Sequence, residues 1–417
     1  MRRVRKGFKR YEYVDRALDR FLSSIEPLDE VVDTPVEDAL WRVLAEDVVA
    51  GEDNPPFDRS AMDGYAVRSV DLSSASDSNP IRLNVIGYST TGRPFKGVVK
   101  PGEAVKIDTG AEMPKGADAV VMVEYVEEGD GYVDVYKSVS RFENVSLKGE
   151  DVKKGDVILP RGRLVSPEDL PTLLSICMEA VKTFRRVRVG LIAFGDELVD
   201  SPGVGEGFIR ESNRLMIRGL LANLPVDIVD YGIVRDSYRD VEDAVSKALD
   251  RSDLVVSTGG TSLGDDDVVA KVVERLGEII VHGVALQPSK PVLLGLVGGK
   301  PYIGLPGYPV AAAISSHVFL IPSILKLSGA RGSYTYPVVR GILTRRVPSK
   351  PGLRHFVRVR VRRVGGVVYV EPIYASGAGV TSSLSRGDGF LVVPEDMEGF
   401  DKGSEVEVIL YRRVVDW

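Results

Sequence analysis

From residue 186 to about residue 330 the chain repeats one rhythm, an apolar strand followed by an amphipathic helix, and that rhythm restricts the fold more than any other feature. "VRVGLIAF" reads as a buried strand, and "RESNRLMIRGLLANL" as a helix with Met216, Leu220, Leu221 and Leu224 on one face. "VDIVDYGIV" is a strand; "DVEDAVSKALD" is a helix aligning Val241, Ala244, Val245, Ala248 and Leu249. "DLVVST" is a strand, and "DDVVAKVVERLG" aligns Val268, Val269, Val272, Val273 and Leu276. Strands alternating with helices of clean 3.6-residue period predict a parallel, doubly wound α/β sheet.

The flanks read differently. "YEYVDRALDRFLSSI" places Tyr13, Leu18, Phe21 and Leu22 along a helical face, and "TPVEDALWRVLAEDV" predicts a second helix with Thr34 as cap and Pro35 just inside. Residues 54–146 alternate short β-type runs with Gly and Pro ("IRLNVIGYS", "AVKIDTGA", "DAVVMVEYVEE", "YVDVYKS"), a small β-rich domain. "GEDVKKGDVILPRG" then predicts a hairpin and "SPEDLPTLLSICMEAV" a helix. A helical N-terminal domain of residues 1–53 and 147–185, interrupted by the β insertion, follows. Residues 186–330 form the α/β domain. Residues 331–417, strand-rich from "YPVVRGILT" to "SEVEVILYRRV", form a C-terminal β-barrel or sandwich.

Composition excludes several classes. With 417 residues, several cores are expected. A net charge of −6 creates no field that would recruit nucleic acid. The opening "MRRVRKGFKR" lacks the apolar core of a targeting peptide and reads as a basic helix-leading face. No uninterrupted apolar run of membrane-spanning length is apparent, so the chain reads as cytoplasmic. The single cysteine, Cys177, excludes an internal disulfide framework and falls in a pattern that predicts a buried, inert thiol. His282, His317 and His355 lack metal-ligand spacing, so a metal here would be hard and oxygen-bound.

In open parallel sheets, ligands sit beyond the carboxyl ends of the strands. The first strand runs into "FGDEL" with Asp196 and Glu197, and the second into Asp236. The third runs into "STGGTSLGDDD", with Asp265, Asp266 and Asp267. Three strand ends thus deliver carboxylates to one edge, with Glu197, Asp236, Asp265 and Asp267 as candidate metal ligands. The glycine loop, with Thr258, Gly259, Gly260, Thr261, Ser262 and Gly264, offers backbone N–H groups and hydroxyls to an anion. It has neither Walker nor dinucleotide-fingerprint spacing. The blander reading is that the three aspartates cap a helix and complement its dipole. A phosphate oxygen and a carboxylate about 4 Å apart repel by about 4 kcal/mol at an effective dielectric near 20, so several carboxylates around a phosphate require a cation such as Mg²⁺. "ALQPSKP" brings in Lys290, and "GLPGYPVAA" places Pro306 and Gly307 before a helix starting near Pro309. That turn reads equally as a ligand-facing helix start or a tight strand-to-helix connection.

"NPPFDRSAMDGYAV" at residues 54–67 cannot be helical, with two prolines and an Asp63-Gly64 turn pair, yet it crowds charges and hydroxyls between Phe57, Met62 and Tyr65. Together with "IDTGAEMPKGADAVVMVE", "GEDVKKGDVILPRG", "STGGTSLGDDD" and "GLPGYPVAA", this segment resembles the molybdopterin molybdenumtransferases, the MoeA and gephyrin E-domain family, over nearly the whole chain. The resemblance implies a four-domain homodimer with a MogA-like third domain. It implies conversion of adenylylated molybdopterin and molybdate to molybdenum cofactor and AMP, with Mg²⁺. The active cleft would be shared between subunits, Asp63 entering from the partner with Thr109 and Gly110 on the same wall. Glu197, Asp236 and Asp267 match carboxylates used for catalysis or metal; Asp151 matches another, and Lys290 matches the lysine of the Pro-Gly-Lys-Pro motif. Transient contact with a molybdopterin adenylyltransferase would supply the substrate.

This chain departs from the family pattern at several positions. Gly283 and Gln287 stand where many relatives carry basic residues, Ser289 replaces a glycine, Tyr308 an asparagine, and Phe194 a serine or threonine; Ser146 sits where some relatives have arginine. Tungstate stays open as a substrate. Competing readings are an ATP-using molybdopterin adenylyltransferase, which would not need the flanking domains, and a non-catalytic scaffold, which goes with a long linker to a separate oligomerising domain. A competence-type nucleotide hydrolase is disfavoured by "SAMDGYA".

Overall fold

The computed structural model describes residues 11–201, 203, 205–261, 267–332, 335–373 and 377–412. The basic opening, Ser262, Gly264, Asp265 and Asp266 lie outside the described residues. At the centre is a six-stranded sheet whose strands, in chain order, are Val187–Phe194, Val226–Val234, Leu254–Thr258, Gly277–His282, Leu293–Val297 and Lys300–Leu305. Spatially the second strand is at one edge, followed by the first, third, sixth, fifth and fourth. The first, second, third and sixth run parallel. Leu293–Val297 runs antiparallel to both its neighbours, so the sheet is mixed rather than wholly parallel.

Strand period places alternate residues on opposite faces. Val187, Val189 and Leu191 join one core with Ile217, Leu221, Leu224 and the helix from Pro309. Ile192 and Phe194 join a second core with Val241, Val245, Val269 and Val273. Helices therefore cover both faces, as doubly wound architecture requires. In the helix Asn213–Leu220 the buried apolar residue is Ile217, with Leu221 and Leu224 just beyond its end; Met216 and Leu220 are half-buried.

The helix beginning at Pro309 runs through Pro309–Ser315, a π turn Ser316–Leu320, and Ile321–Leu327. Pro322 lacks the N–H that would continue the regular ladder, and the wider turn just before it absorbs the defect. Pro309–Leu327 is the one described helix long and apolar enough to cross a membrane by length and composition, which the sequence reading overlooked; 78% of its apolar window is buried inside the protein.

Residues 64–67 lie inside a second six-stranded sheet, paired with Glu103–Ile107 and Ala119–Met122. Its core gathers Tyr65, Val67, Leu83, Val121 and Val133. Five strands, Val338–Leu343, Arg354–Val364, Val367–Pro372, Gly389–Val393 and Glu405–Leu410, close on themselves as a barrel. Phe356 and Phe390 of the barrel also enter the central core, and Leu286–Gln287 pairs with the start of Arg354–Val364. Arg354 ties the barrel to the first helix by two 2.7 Å bonds to Asp15.

The flanking helices depart most from expectation. Helix Val14–Ser23 buries Val14, Ala17 and Phe21, while Tyr13 is exposed. The helix expected from Thr34 does not form: Val31–Pro35 pairs with Ala180–Phe184, and only a 3₁₀ turn, Val36–Asp38, follows. The expected hairpin is replaced by pairing of Val157–Leu159 with Val48–Val49. Helix Asp169–Ser175 ends in a Schellman motif, with the Met178 N–H on the Leu173 carbonyl at 3.1 Å and the Cys177 N–H on the Leu174 carbonyl at 3.0 Å. Cys177 occupies the left-handed position of that cap, φ +59°, and is exposed rather than buried.

Candidate active site

The parallel strands end on one lip, and there a cleft of about 710 Å³ opens. Glu197 reaches it from the first strand, Asp236 from the second, Thr258, Gly259, Gly260 and Thr261 from the third, and Pro306, Gly307 and Tyr308 from the sixth. Gly379 and Thr381 line it as well. Arg210 is the only cationic side chain among the described residues lining it.

The carboxylates share one electrostatic field. Asp236 is half-buried, and its carboxyl is pushed above the ordinary range first by burial, then by Asp196 and Glu197, with a smaller contribution from Asp267. Asp267 is buried at 4% exposure. Its Oδ1 accepts the Ala270 N–H at 2.9 Å, capping helix Val268–Leu276. The capping reading therefore holds for Asp267, and it holds together with the clustering. Asp267 Oδ2 accepts no hydrogen bond and lies 3.4 Å from His282 Nε2. Among the described residues no three Asp, Glu, His or Cys side chains are arranged to hold a metal by themselves. A buried carboxylate oxygen without a donor, beside an acid that resists ionisation, nevertheless suits a divalent cation whose remaining ligands come from a bound molecule.

The glycine loop is threaded between neighbouring strands. Gly259 has φ +83°, and a Cβ there would stand 2.2 Å from the Phe194 carbonyl oxygen. Its N–H donates to the Leu305 carbonyl at 3.1 Å, and the Thr261 hydroxyl donates to the same oxygen at 3.4 Å. Thr261 thus braces the loop. Asn213, which sequence reasoning did not single out, donates from Nδ2 to the Gly307 carbonyl at 2.7 Å and leaves Oδ1 buried without a partner. Glu211 accepts the Asn213 N–H at 2.6 Å and the Arg214 side chain at 3.1 Å. The available signal was the polar run "RESNR" at a helix start beside the lip. Lys290 is outside the cleft wall, its Nζ 5.3 Å from the Tyr11 ring centroid.

A second polar group sits beside the sheet that contains residues 64–67. Asp63 Oδ1 accepts the Thr109 N–H at 2.7 Å and the Thr109 hydroxyl at 2.8 Å, and these bonds hold the exposed Asp63 carboxyl below its usual range. The Gly110 N–H donates to the Ser60 carbonyl at 2.7 Å. Asp151 Oδ2 accepts Asn54 Nδ2 at 2.8 Å. Among the described residues no hydrogen bond or ion pair joins residues 54–153 to residues 187–412. Within one chain, Asp63, Thr109, Gly110 and Asp151 are not brought together with the carboxylate cleft.

Three family models match in succession: "MoeA N-terminal region (domain I and II)" over residues 13–177, "Probable molybdopterin binding domain" over 190–326, and "MoeA C-terminal region (domain IV)" over 340–411. A Methanocaldococcus jannaschii protein named for molybdopterin biosynthesis is 39% identical over 399 residues, covering 93% of this chain and 94% of its own. A molybdopterin molybdenumtransferase from Haemophilus influenzae is 32% identical, covering 95% and 97%. The crystal structure of a molybdopterin biosynthesis MoeA protein from Pyrococcus horikoshii OT3 superposes with a TM-score of 0.83 at 32% identity, covering 96% of this chain and all of that one. By sequence and by fold, the chain belongs to the MoeA family of molybdopterin molybdenumtransferases.

Proposed function

We propose that this transferase of molybdenum cofactor biosynthesis inserts molybdate into adenylylated molybdopterin and releases AMP, at a cleft completed by a second copy of the chain. The observation that carries this reading is the gathering of Glu197 and Asp236 on one lip with Asp267 buried close by, where burial first, and then Asp196 and Glu197, push the Asp236 carboxyl above its ordinary range. Such a site repels an anionic ligand unless a cation accompanies it. Mg²⁺, held by one or two of these carboxylates together with the ligand's phosphates, would supply Lewis acidity at the pyrophosphate link. The chain's own residues do the rest. Gly259 and Gly260 hold the loop open beside the phosphates, and Arg210 offers the one cation of the described wall. Asp63 of the partner subunit, oriented by Thr109, would face the reacting oxyanion from across the cleft.

The homodimer, the magnesium requirement and the role of each carboxylate belong to this proposal. So do the division into domains at 54, 147, 186 and 331 and the choice between molybdate and tungstate. The deciding assay follows AMP release from adenylylated molybdopterin with molybdate or tungstate, with and without Mg²⁺. Release that requires both oxyanion and Mg²⁺ is expected. Synthesis of adenylylated molybdopterin from ATP, with no oxyanion-dependent AMP release, would overturn the reading in favour of an adenylyltransferase.

A further inference from the structure

Tyr308 occupies a position where its residue type serves the fold badly. It is the N-cap of the helix Pro309–Ser315, with φ −72° and ψ 128°, and its side chain makes no capping hydrogen bond. Short oxygen-bearing side chains are preferred at such positions because they satisfy an orphan N–H, and tyrosine cannot do so. The ring does not repay this by packing, since Tyr308 is 64% exposed on the wall of the cleft. Yet its placement is specific. A Cβ built on Gly379 would approach ring carbons Cδ1 and Cε1 to 3.3 Å, so the ring leans against a residue with no side chain. The adjacent backbone is tied down by the Val310 N–H on the Ala378 carbonyl at 3.3 Å and the Ala312 N–H on the Tyr308 carbonyl at 2.9 Å. An uncapped helix start and an exposed aromatic ring, backed by glycine at the mouth of a nucleotide-sized cleft, make up a stacking platform.

We infer that Tyr308 is a positioning and affinity-determining residue that stacks on a flat heteroaromatic ring of the ligand. This rests on the function proposed above. The shared chemistry is a planar nitrogen heterocycle, and the ligand carries two, adenine and pterin. Stacking of a base on an aromatic side chain changes affinity by about fivefold to a hundredfold.

The test measures calorimetric Kd values of the full-length protein for AMP and, separately, for pterin-6-carboxylate, both with Mg²⁺. It adds KM for adenylylated molybdopterin and the melting temperature. Tyr308→Ala is expected to weaken one of the two rings at least fivefold and to raise KM more than it lowers kcat; the ring affected identifies the stacked partner. Tyr308→Phe is expected to stay within twofold on every measure. Tyr308→Asn is expected to weaken the same ring while raising the melting temperature, because asparagine restores the cap. These opposite signs separate a ligand platform from a structural residue. The inference is overturned if Tyr308→Ala binds both rings within twofold of the parent, if neither ring binds the parent, or if Tyr308→Asn loses binding and melting temperature together. Ring-selective loss in a protein that releases no AMP from adenylylated molybdopterin would uphold the platform and reject the proposed reaction instead.

Discussion

Thr109 directs both its backbone N–H and its hydroxyl at a single oxygen of Asp63, at 2.7 and 2.8 Å. That oxygen is satisfied by the chain itself, which leaves the other available across an exposed surface. If Asp63 works in trans with Glu197, Asp63→Asn and Glu197→Gln should each lower turnover at least a hundredfold, as loss of a transition-state contact does, without changing the dimer's melting profile. Mixing the two inactive homodimers and allowing exchange should restore about a quarter of the parental sites, because half the dimers would then carry one intact cleft. No recovery after verified exchange would show that both residues serve one subunit.

Asp236 gives a pH-dependent signature. Its folded carboxyl titrates above the ordinary 3.8, because of burial and the charges of Asp196 and Glu197. The ionised form is therefore disfavoured by folding. Stability falls as pH rises through the folded pKa and is unaffected by this group below the ordinary value. Asp236→Asn should melt higher than the parent near pH 7.5 and gain nothing near pH 3, while losing activity. Mg²⁺ with AMP should raise the parental melting temperature far more than that of the variant.

Gly259→Ala should be costly. A methyl group would meet the Phe194 carbonyl oxygen at 2.2 Å on a backbone with φ +83°. Strain of both kinds suggests about 2–4 kcal/mol, read as a lower denaturation midpoint with an unchanged m-value. A neutral result would mean that the loop can shift away from the first strand.

Arg185 bridges two parts of the fold. It donates to Asp253 at 2.6 and 2.9 Å and to Glu30 at 2.6 Å. Burial works against ionisation of Asp253, but the Arg185 bonds and the Arg188 N–H prevail and hold its carboxyl below 3.8. This stabilisation is complete above the ordinary carboxyl value and is lost as pH falls through the folded one. Asp253→Asn should cost about 2 kcal/mol at neutral pH, and less near pH 2, by chemical denaturation.

Local periodicity carried most of the central fold. The stripe Val241, Val245 and Ala248 is buried as the helical pattern predicts, and the carboxylates after the first two strands meet where strand ends must meet. What failed was non-local. Thr34-Pro35 has the local look of a helix start, but Val31–Pro35 finds its partner in Ala180–Phe184, about 150 residues on, and sheet pairing overrides the cap signal. Cys177 is exposed rather than buried because its helix stops at Ser175, which an apolar run does not reveal. Asp63 and Glu197 lie beside different sheets, and no local pattern in the sequence relates the two.

The reversed strand Leu293–Val297 was legible after the fact. Gly298 and Gly299, at φ +57° and +76°, form the tight reversal to Lys300–Leu305 that a Gly-Gly pair between apolar runs signals. Its effect reaches beyond topology. A strand entering the sheet from the ligand side needs no helix to bring the chain back, so the two-glycine bend replaces a whole crossover. The incoming segment at Pro291 and the outgoing one at Pro306 consequently open on the same rim. A hairpin at the far end of the sheet thereby gives the reactive end two independently variable loops, through which ligand preference can change while the supporting layers stay fixed.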